Sequence, residues 1–502
     1  MKSPREIASS LGWNYAGRIA DAGGTYVVGI LVAHALSIRE YGLYALVVSG
    51  MQMVIAFSSM GAEVALNRFI PGLLAEKSSP AIRFLVRNLA LARVVLAVVA
   101  AAGVSFLLNA AAKFGSPTST LVAFAVFSIL RSVIPLLGIS MVAQLQTRIP
   151  SSITIGTRIA DIVVVGILAA LGATFDMFII ALTCTSVLQT VALLVFLRPS
   201  LAGPIQHVAL RPILAFGGIF WINVLVDFIL GRYGDVVLLG LLGPDKDQIG
   251  LYEAGAGLVQ AAGLLLTTGM GGVNLALFSE LARQEGNNND RMRRFYHALV
   301  RITSALTLPL MVFLIVDAGS VLKVLYTDRF VGAWFVVRAF AGVRIVARLF
   351  GGGENTEALL AQGKVGLVSS VGVIAALLNL VGDILLIPTI GAAGAVLATS
   401  VAYLAVTCST FYFVRKNLGV QLQPEPYLRL LGGGVIGGAI LSLLPDAGDF
   451  LMLGIHVIVF SGVTIGTWAL LKPLKEFDVE TAAEVHPRLG SALRAFARSE
   501  RP

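Results

Sequence analysis

Ten arginines and no lysine fall inside the hydrophobic stretches of this 502-residue chain. A charged side chain at bilayer depth is costly unless it is paired or faces water. The guanidinium group is planar and can donate two parallel hydrogen bonds to one phosphate, which an ammonium group cannot do. The all-arginine set therefore predicts a phosphate-bearing guest. Its members are Arg18, Arg68, Arg93, Arg131, Arg158, Arg232, Arg301, Arg338, Arg344 and Arg348.

The first hydrophobic stretch carries a polar face. Asn14, Arg18, Asp21 and Thr25 are spaced at i, i+4, i+7 and i+11, which places them on one side of a helix that is otherwise apolar. We expect this face to line a cleft. The alternative is a neutral Arg18–Asp21 pair that serves helix packing alone.

The seventh stretch carries polar residues at a similar depth. Asn223 and Asp227 are one turn apart, and Arg232 and Asp235 follow at i and i+3. Arg232 and Asp235 lie near the predicted outer end of that stretch. Snorkelling to the interface therefore explains them as well as guest binding does.

The remaining arginines divide by what lies near them in sequence. Arg158 and Asp161 can pair one turn apart, whereas Arg131, four residues before Pro135, has no acid on its own helix and needs a partner from a neighbour or a ligand. Arg68, Arg93 and Arg301 lie toward cytoplasmic ends and either snorkel or contact substrate. The predicted substrate-binding set is Asn14, Arg18, Arg68, Arg131, Arg158, Arg232 and Arg301.

Acidic residues in the hydrophobic stretches are candidate proton or cation sites. These candidates are Asp21, Glu63, Asp227, Asp235 and Asp383. A further set looks self-neutralising near the cytoplasmic half of the tenth stretch, and it consists of Arg344, Arg348, Glu354 and Glu357.

Motifs for catalysis, nucleotide hydrolysis or metal binding do not occur in the sequence. It contains no GxxxxGK[ST] loop, no HExxH and no GxSxG, and its two cysteines and five histidines are scattered. We therefore expect neither an enzyme nor a metal or organic cofactor. No basic stripe interleaved with exposed aromatic residues indicates a nucleic-acid groove.

The elements that position these residues are membrane helices. The chain is 57% hydrophobic and 13% charged, and apolar runs of about 20 residues, the length that crosses a bilayer, recur from end to end. The sequence predicts an all-α polytopic membrane protein with about 14 spans. They begin near Leu11, Leu43, Val86, Ser119, Thr154, Met177, Ile213, Gly250, Ala298, Ala333, Val365, Ala392, Arg429 and Leu451.

The loops predict the orientation. Lysines and arginines crowd the loops on one side, and the opposite loops carry only Arg39, Lys113, Lys246, Lys323 and Arg329. The positive-inside rule then places both termini in the cytoplasm, in agreement with an even number of spans.

The two halves of the chain repeat. Trp13 recurs as Trp221 and Tyr41-Gly-Leu-Tyr44 as Ile249-Gly-Leu-Tyr252, each 208 residues on. Because six spans precede the second copy, the repeats are parallel. We expect an N-terminal lobe at residues 1–209, a C-terminal lobe at 210–424, two accessory helices at 425–472 and a cytoplasmic tail at 473–502.

With these residues in view, the chain resembles the polysaccharide or oligosaccharide flippases of the multidrug/oligosaccharidyl-lipid/polysaccharide (MOP) exporter superfamily. The resemblance runs from end to end. It rests on Ser37-Ile-Arg-Glu-Tyr-Gly-Leu-Tyr44, Asn67-Arg-Phe-Ile-Pro71, Gly231-Arg-Tyr-Gly-Asp235 and the stretch from Asn379 to Val401. Gly231 stands where the family pattern often has Asn.

The resemblance implies a MATE-like fold of two six-helix lobes plus two accessory helices in the bacterial cytoplasmic membrane. It also implies an undecaprenyl-pyrophosphate-linked oligosaccharide as guest, such as an O-antigen or exopolysaccharide repeat unit, which crosses by alternating access. Coupling to H⁺ or Na⁺, and contact with a polysaccharide polymerase and its chain-length machinery, are compatible with it.

Three alternatives remain at the level of sequence. A lipid-linked peptidoglycan-precursor flippase carries a pyrophosphate guest too, and sequence separates it poorly. A cation-coupled multidrug antiporter would favour a cleft dominated by acids rather than arginines. A membrane glycosyltransferase or polymerase would need catalytic carboxylates and a sizeable outward loop, and the predicted outward loops are short.

Overall fold

A computed structural model describes residues 4–110, 118–144, 146–267, 270–284, 290–485 and 487–498. These residues are nearly all helical. The α-helices are α1 (Pro4–Ala35), α2 (Ile38–Ser58), α3 (Ala62–Ala75), α4 (Ser79–Ala110), α5 (Thr118–Ala143), α6 (Arg148–Ala170), α7 (Phe175–Leu201), α8 (Leu210–Leu230), α9 (Arg232–Leu242), α10 (Asp247–Thr267), α11 (Met270–Gln284), α12 (Asp290–Val316), α13 (Ala318–Leu325), α14 (Trp334–Leu349), α15 (Glu354–Ala361), α16 (Val365–Ile390), α17 (Ala392–Leu418), α18 (Pro424–Leu441), α19 (Phe450–Leu471), α20 (Glu476–Val485) and α21 (Pro487–Leu493).

Short elements complete the described chain. Two 3₁₀-helices occupy Asp328–Ala333 and Arg494–Phe496, and strand β1 (Leu474–Lys475) pairs in parallel with β2 (Ala497–Arg498). Lys2, Lys113 and Arg501, which contribute to the predicted charge asymmetry, lie outside the described residues.

Each of the fourteen predicted hydrophobic stretches begins at a helical residue, and the expected all-helical membrane class is confirmed. Among the described residues, 11 helices are long and apolar enough to cross a membrane. The count of fourteen spans therefore stays a prediction.

Several helices begin before the hydrophobic stretch that predicted them. The fourth helix, α4, begins at Ser79 instead of Val86, and α12 begins at Asp290 instead of Ala298. Backbone hydrogen bonding continues through polar helix formers such as Arg291 and Arg293, so the helix outlasts its apolar segment. Hydrophobicity marks the membrane-embedded part of a helix and not its end.

The second predicted span is broken. Helix α2 ends at Ser58 and α3 begins at Ala62, because Met60 and Gly61 adopt left-handed backbone angles with φ of 50° and 64°. A Cβ on Gly61 would collide with the backbone of Gly217 in α8, and one on Gly217 would lie 2.7 Å from the Met60 carbonyl oxygen. Only glycine fits at this crossing.

The seventh predicted span is broken as well. Gly231, with φ −89° and ψ 159°, separates α8 from α9. A Cβ at this position would lie 2.7 Å from the carbonyl oxygen of Asp227. As a result, Asp227 and Arg232 belong to different helices, although the sequence placed both in one predicted span.

Contacts group the chain into two units. The first contains Met1–Glu253 together with Asp383–Ala392, and the second contains Ala254–Gly382 together with Ala393–Pro502. In the first unit α1 packs on α6, α5 on α4 and α7, and α2 and α3 on α8 and α9. The predicted lobe boundaries at 209 and 424 stay predictions.

In the second unit α12 packs against α14 and α18, and α18 packs against α19. Glycines on α18 allow close approach on both sides. A Cβ on Gly433 would meet Trp468 of α19 at 2.5 Å, and one on Gly438 would meet Val316 of α12 at 2.9 Å.

Candidate functional site

Two glycines bring α1 close to α6 in the first unit. A Cβ on Gly17 would lie 3.0 Å from the side chain of Ser151, and one on Gly24 would lie 3.0 Å from Cβ of Arg158. The two glycines are seven residues apart, as are their partners, so they form one seam along both helices. This seam brings the polar face of α1 beside Arg158.

Arg158 is held by carboxylates from two helices. Its Nε and Nη2 donate to Oδ1 of Asp21 at 2.8 and 2.6 Å, and its Nη1 donates to Oδ2 of Asp161 at 2.8 Å. Thr185 of α7 donates to the other oxygen of Asp161 at 2.5 Å. The expected Arg158–Asp161 pairing is confirmed. The alternative Arg18–Asp21 pair is wrong, because Asp21 binds across to α6.

Arg131 of α5 is half-buried and has neutral partners within the described part of the chain. Its Nη1 lies 3.4 Å from Oε1 of Gln189, and its guanidinium lies 5.8 Å from the ring centroid of Phe127. Gln189 in turn approaches the hydroxyl of Thr154 at 3.5 Å. The sequence anticipated a cation without an acid on its own helix, and no described residue of a neighbouring helix supplies one at ion-pair distance.

Arg18 and Arg68 also have no ion pair with any described residue. Arg18 is exposed on α1, with half-buried Asn14 one turn before it. Arg68 is exposed on α3, and its guanidinium stacks over the ring of Phe216 at 4.7 Å. Asp227 is likewise exposed on α8. Each of these four side chains is accessible to a ligand.

Arg232 does not snorkel. Its side chain is 9% exposed and pairs with Glu253 of α10 at 3.0 Å. The guanidinium also lies over the rings of Tyr26 and Tyr233, at 5.4 and 4.8 Å from their centroids. Charge pairing and aromatic stacking together hold it inside the first unit.

A pair of carboxyl groups lies close by in the same unit. Asp235 and Asp383 are fully buried, and a side-chain hydrogen bond joins them. The hydroxyl of Tyr252 donates to Asp235. Two carboxyl groups can share a hydrogen bond only when one of them carries a proton. This pair is therefore a site at which a proton, or a cation in its place, can reside.

Arg93 is the most buried of the ten arginines, at 1% exposure. It lies 3.0 Å from Glu63 of α3 and donates to the hydroxyl of Ser132 in α5 at 2.8 Å. That hydroxyl is 2.7 Å from the hydroxyl of Ser58, the last residue of α2. Arg93 thus ties together both sides of the break between α2 and α3, and it does not snorkel as the sequence allowed.

Arg301 lies in the second unit and is buried. Its Nε and Nη2 bind the two oxygens of Asp478 at 2.7 and 2.5 Å, and Nη1 binds Oε1 of Gln423 at 2.5 Å. Asp478, in the segment after α19, therefore accepts the hydrogen bonds that this guanidinium could otherwise donate to a ligand. Arg301 belongs to the second unit, whereas the other predicted substrate arginines belong to the first.

A second polar network surrounds the bend between α14 and α15. Arg348 pairs with Glu354 at 2.8 Å, as the predicted self-neutralising set requires, and Tyr296 donates to Asn355 at 2.5 Å. Glu357, unlike Glu354, is hydrogen-bonded to Asn274 and not ion-paired with Arg348. Burial raises the pKa of the Glu357 carboxyl to about 7, although a hydrogen bond from Asn274 opposes the shift.

Five of the ten arginines therefore have a carboxylate partner, and five have none in the described ranges. Sequence reasoning missed four of these pairings, Arg93 with Glu63, Arg158 with Asp21, Arg232 with Glu253 and Arg301 with Asp478, because the partners come from other segments of the chain. Within the described residues, no cluster of three or more His, Cys, Asp or Glu side chains could hold a metal ion. The unpaired arginines are Arg18, Arg68, Arg131, Arg338 and Arg344.

Comparison with known proteins gives a family and a fold. The profile of a family described as "Polysaccharide biosynthesis protein" matches residues 31–334. Comparison with curated proteins finds no match.

Three solved transporters have similar structures. The lipid II flippase MurJ in an inward closed conformation is 15% identical, with 93% of this chain and 98% of that chain covered and a TM-score of 0.67. An inward-facing multidrug resistance MATE family transporter of the MOP superfamily is 12% identical, with 80% and 94% covered and a TM-score of 0.62. A MOP superfamily transporter from Pyrococcus furiosus is 13% identical, with 82% and 95% covered and a TM-score of 0.52. These likenesses confirm the expected MATE-like fold.

Proposed function

Because the chain belongs to the family of polysaccharide biosynthesis proteins, we propose that it is a flippase for undecaprenyl-pyrophosphate-linked oligosaccharide repeat units. It moves them from the inner to the outer leaflet of the bacterial cytoplasmic membrane. The sugar head group crosses through an arginine-lined cleft by alternating access, and the lipid tail stays in the bilayer. Both termini lie in the cytoplasm.

The observation that carries this proposal is the uncompensated charge of Arg131. A half-buried guanidinium in a membrane helix needs an anion, and its described partners, Gln189 and Phe127, are neutral. Arg18 and Arg68 add two accessible guanidinium groups without carboxylates. These three residues and Asn14 are the substrate contacts that we propose. Arg158, Arg232 and Arg301 instead satisfy acids of the protein itself.

The proposed substrate contacts include three arginines and no acid, which favours a phosphate-bearing guest over a cationic drug. A pyrophosphate offers several oxygens that accept paired N–H groups from guanidinium. The membrane potential also favours outward movement of such a head group. About two negative charges gain about 4 to 5 kcal/mol per 100 mV in an inside-negative cell.

Ion coupling is proposed to reside at the Asp235–Asp383 pair, with Asp21 and Glu63 held in ion pairs and Asp227 exposed. A proton or Na⁺ bound between two buried carboxylates would leave when the site opens to the other side. Asp383→Asn keeps the size of the side chain and removes one charge. In reconstituted vesicles it should abolish the response of flipping to imposed H⁺ and Na⁺ gradients, while exposed Asp446→Asn retains it. A response equal to that of the native chain would exclude this pair as the coupling site.

The experiment that tests the function is analysis of lipid-linked sugars in a strain lacking the protein. Mass spectrometry should detect accumulation of an undecaprenyl-pyrophosphate oligosaccharide, and spheroplast labelling should locate it in the inner leaflet. Accumulation of peptidoglycan precursor alone would instead identify the rival flippase. An unchanged lipid-linked pool with altered drug sensitivity would contradict the proposal. In a separate experiment, co-purification of the protein with a polysaccharide polymerase tests their proposed contact.

A further inference from the structure

The segment after α19 is anchored to the second unit by one buried ion pair. Asp478, in α20, is fully buried, and both of its oxygens engage the guanidinium of Arg301 in α12. The backbone N–H of Lys475 also donates to Asp478 at 2.8 Å. Two parallel N–H donors from one guanidinium form the arrangement that binds either a carboxylate or a phosphate.

The segment also buries the side chains of Leu474, Val479 and Ala482, and its other polar contacts are weaker than this ion pair. Arg498 binds both oxygens of Glu425 at 2.8 and 2.9 Å and thereby lowers the pKa of that carboxyl, but the pair is exposed and water screens it. Strands β1 and β2 are two residues long each, and Phe496 contacts Trp468 edge to face at 6.2 Å. Among the described residues, the Arg301–Asp478 pair is therefore the main buried polar contact of the segment.

A cavity adjoins the guanidinium of Arg301. It is lined by residues of α12, α14, α17 and α18, and its volume is about 30 Å³, room for one or two water molecules. Arg301 and Arg348 supply the cationic lining, Gln421 and Gln423 the carboxamides, and Tyr296 and Tyr427 the aromatic walls. An anion that displaced Asp478 would find hydrogen-bond donors there and would take the space that the Asp478 carboxylate leaves beside this small cavity.

The surroundings favour anions that come from the membrane surface. Lys475 adjoins this site, Arg294 of α12 lies over the ring of Phe477, and Arg429 is near the start of α18. Basic residues at a membrane surface concentrate anionic phospholipid head groups. In the predicted topology these residues lie on the cytoplasmic side.

We propose that Arg301 and the adjoining cavity form an anion site for a phosphate group, and that the carboxylate of Asp478 occupies this site while the C-terminal segment is docked. Binding of a phosphate releases the segment from α12. The ligand is the phosphate of an anionic phospholipid head group or free pyrophosphate, which share this chemistry. The proposal does not rest on the substrate proposed above.

Release can be measured in the full chain with Cys184 and Cys408 replaced by serine. A bimane attached to Ala495→Cys, next to Phe496, is quenched by Trp468 when the segment is docked. Nanodiscs of phosphatidylcholine, with or without phosphatidylglycerol, test the lipid. Pyrophosphate added to phosphatidylcholine nanodiscs at constant ionic strength tests the soluble anion. Increased fluorescence with phosphatidylglycerol or with pyrophosphate supports the anion site and shows which of the two anions it binds.

Asp478→Asn keeps the shape of the side chain but removes the competing charge. It should lower the anion concentration at half-release by at least about tenfold, whereas Glu425→Gln, which removes an exposed partner, should shift it much less. Arg301→Lys in the Asp478→Asn background should abolish the response, because the fork is lost. Fluorescence that neither anion changes, in the native chain and in Asp478→Asn alike, would mean that the segment is a fixed brace and would overturn the proposal.

Discussion

Gly42 and Gly250 pack directly on each other, although 208 residues separate them in sequence. A Cβ on Gly42 would lie 2.7 Å from the carbonyl oxygen of Lys246 and 3.0 Å from the amide nitrogen of Gly250. A Cβ on Gly250 would in turn meet the backbone of Ile38. The two residues occupy matching positions in the two sequence repeats, and the contact is mutual. Such a contact is expected where an approximate twofold axis passes between repeated segments.

This contact gives a test of alternating access. Gly42 and Gly250 lie near the starts of α2 and α10, on the predicted outer side, and should separate when the cleft opens outward. Ile38→Cys with Ile249→Cys, in a background lacking Cys184 and Cys408, should react with a short bis-methanethiosulfonate reagent and lose export, and reduction should restore it. Single-cysteine variants treated identically control for modification. Full export by a quantitatively cross-linked protein would exclude separation at this point.

Substitution of the unpaired arginines tests phosphate recognition. Arg131→Lys and Arg18→Lys keep the charge but lose the fork, so export should fall about tenfold to a hundredfold, the worth of one charge-assisted hydrogen bond. Arg338→Lys is the matched control, because Arg338 donates to the carbonyl oxygen of Ile315 and is not a proposed contact. Export is measured at equal membrane levels of protein. Undiminished export by both variants would remove these residues from the substrate site.

The Arg93–Glu63 pair should contribute to stability more than to transport. Glu63→Gln leaves a buried guanidinium without its carboxylate and should lower the free energy of unfolding by about 3 kcal/mol. Adding Arg93→Met should recover most of that loss. Thermal unfolding in detergent measures both changes, with exposed Glu76→Gln as control. If the single variant were as stable as the native chain, the Arg93 charge would have to be compensated by another group.

Glu357 predicts a dependence of stability on pH. Its folded pKa, about 7, lies above the ordinary value of 4.5. The folded state therefore binds more protons than the unfolded state in this window, and stability should fall as pH rises from about 4.5 to about 7. The side chain in Glu357→Gln cannot ionise. The thermal midpoint of this variant minus that of the native protein should therefore increase from about pH 4.5 to about pH 7 and stay constant at higher pH. Parallel curves for the two proteins would contradict the assignment.

The orientation can be tested with reporter fusions. The excess of lysine and arginine on one set of loops predicts that alkaline phosphatase fused after Pro502 is inactive and that a fusion near Lys323 is active. Lys323 lies in α13 and pairs with Asp328 at 3.1 Å. The fusion is therefore best placed after α13, in the exposed part of the predicted outward loop. The reverse pattern of activity would invert the topology.

Sequence periodicity and composition were enough to predict the helical membrane class and the pairing of Arg158 with Asp161, which are one turn apart. They could not predict the breaks at Gly61 and Gly231. Glycine in membrane helices most often permits close packing, and only the approach of another backbone or a left-handed φ shows that a helix ends there.

The candidate site was predictable in its residue types but not in its pairings. Arg158 binds Asp21 across 137 residues, and Arg301 binds Asp478 across 177 residues. Such partners depend on which helices pack together, and the spacing of residues within one helix carries no information about that. The sequence therefore indicated which arginines need an anion without showing which of them the protein itself satisfies.

The assignment of Asp383–Ala392 to the first unit has a consequence for biosynthesis. Asp235 is inserted with α9, but the Asp383 carboxyl to which it is hydrogen-bonded is translated 148 residues later (383 minus 235). At bacterial rates of about 5–20 residues per second, that delay is on the order of ten seconds. During this interval Asp235 lacks the carboxyl partner that it has in the folded protein, and insertion chaperones and membrane proteases can recognise such an unfinished chain. Ribosomes stalled before residue 383 should therefore leave products that are degraded quickly, whereas those stalled after α16 should persist.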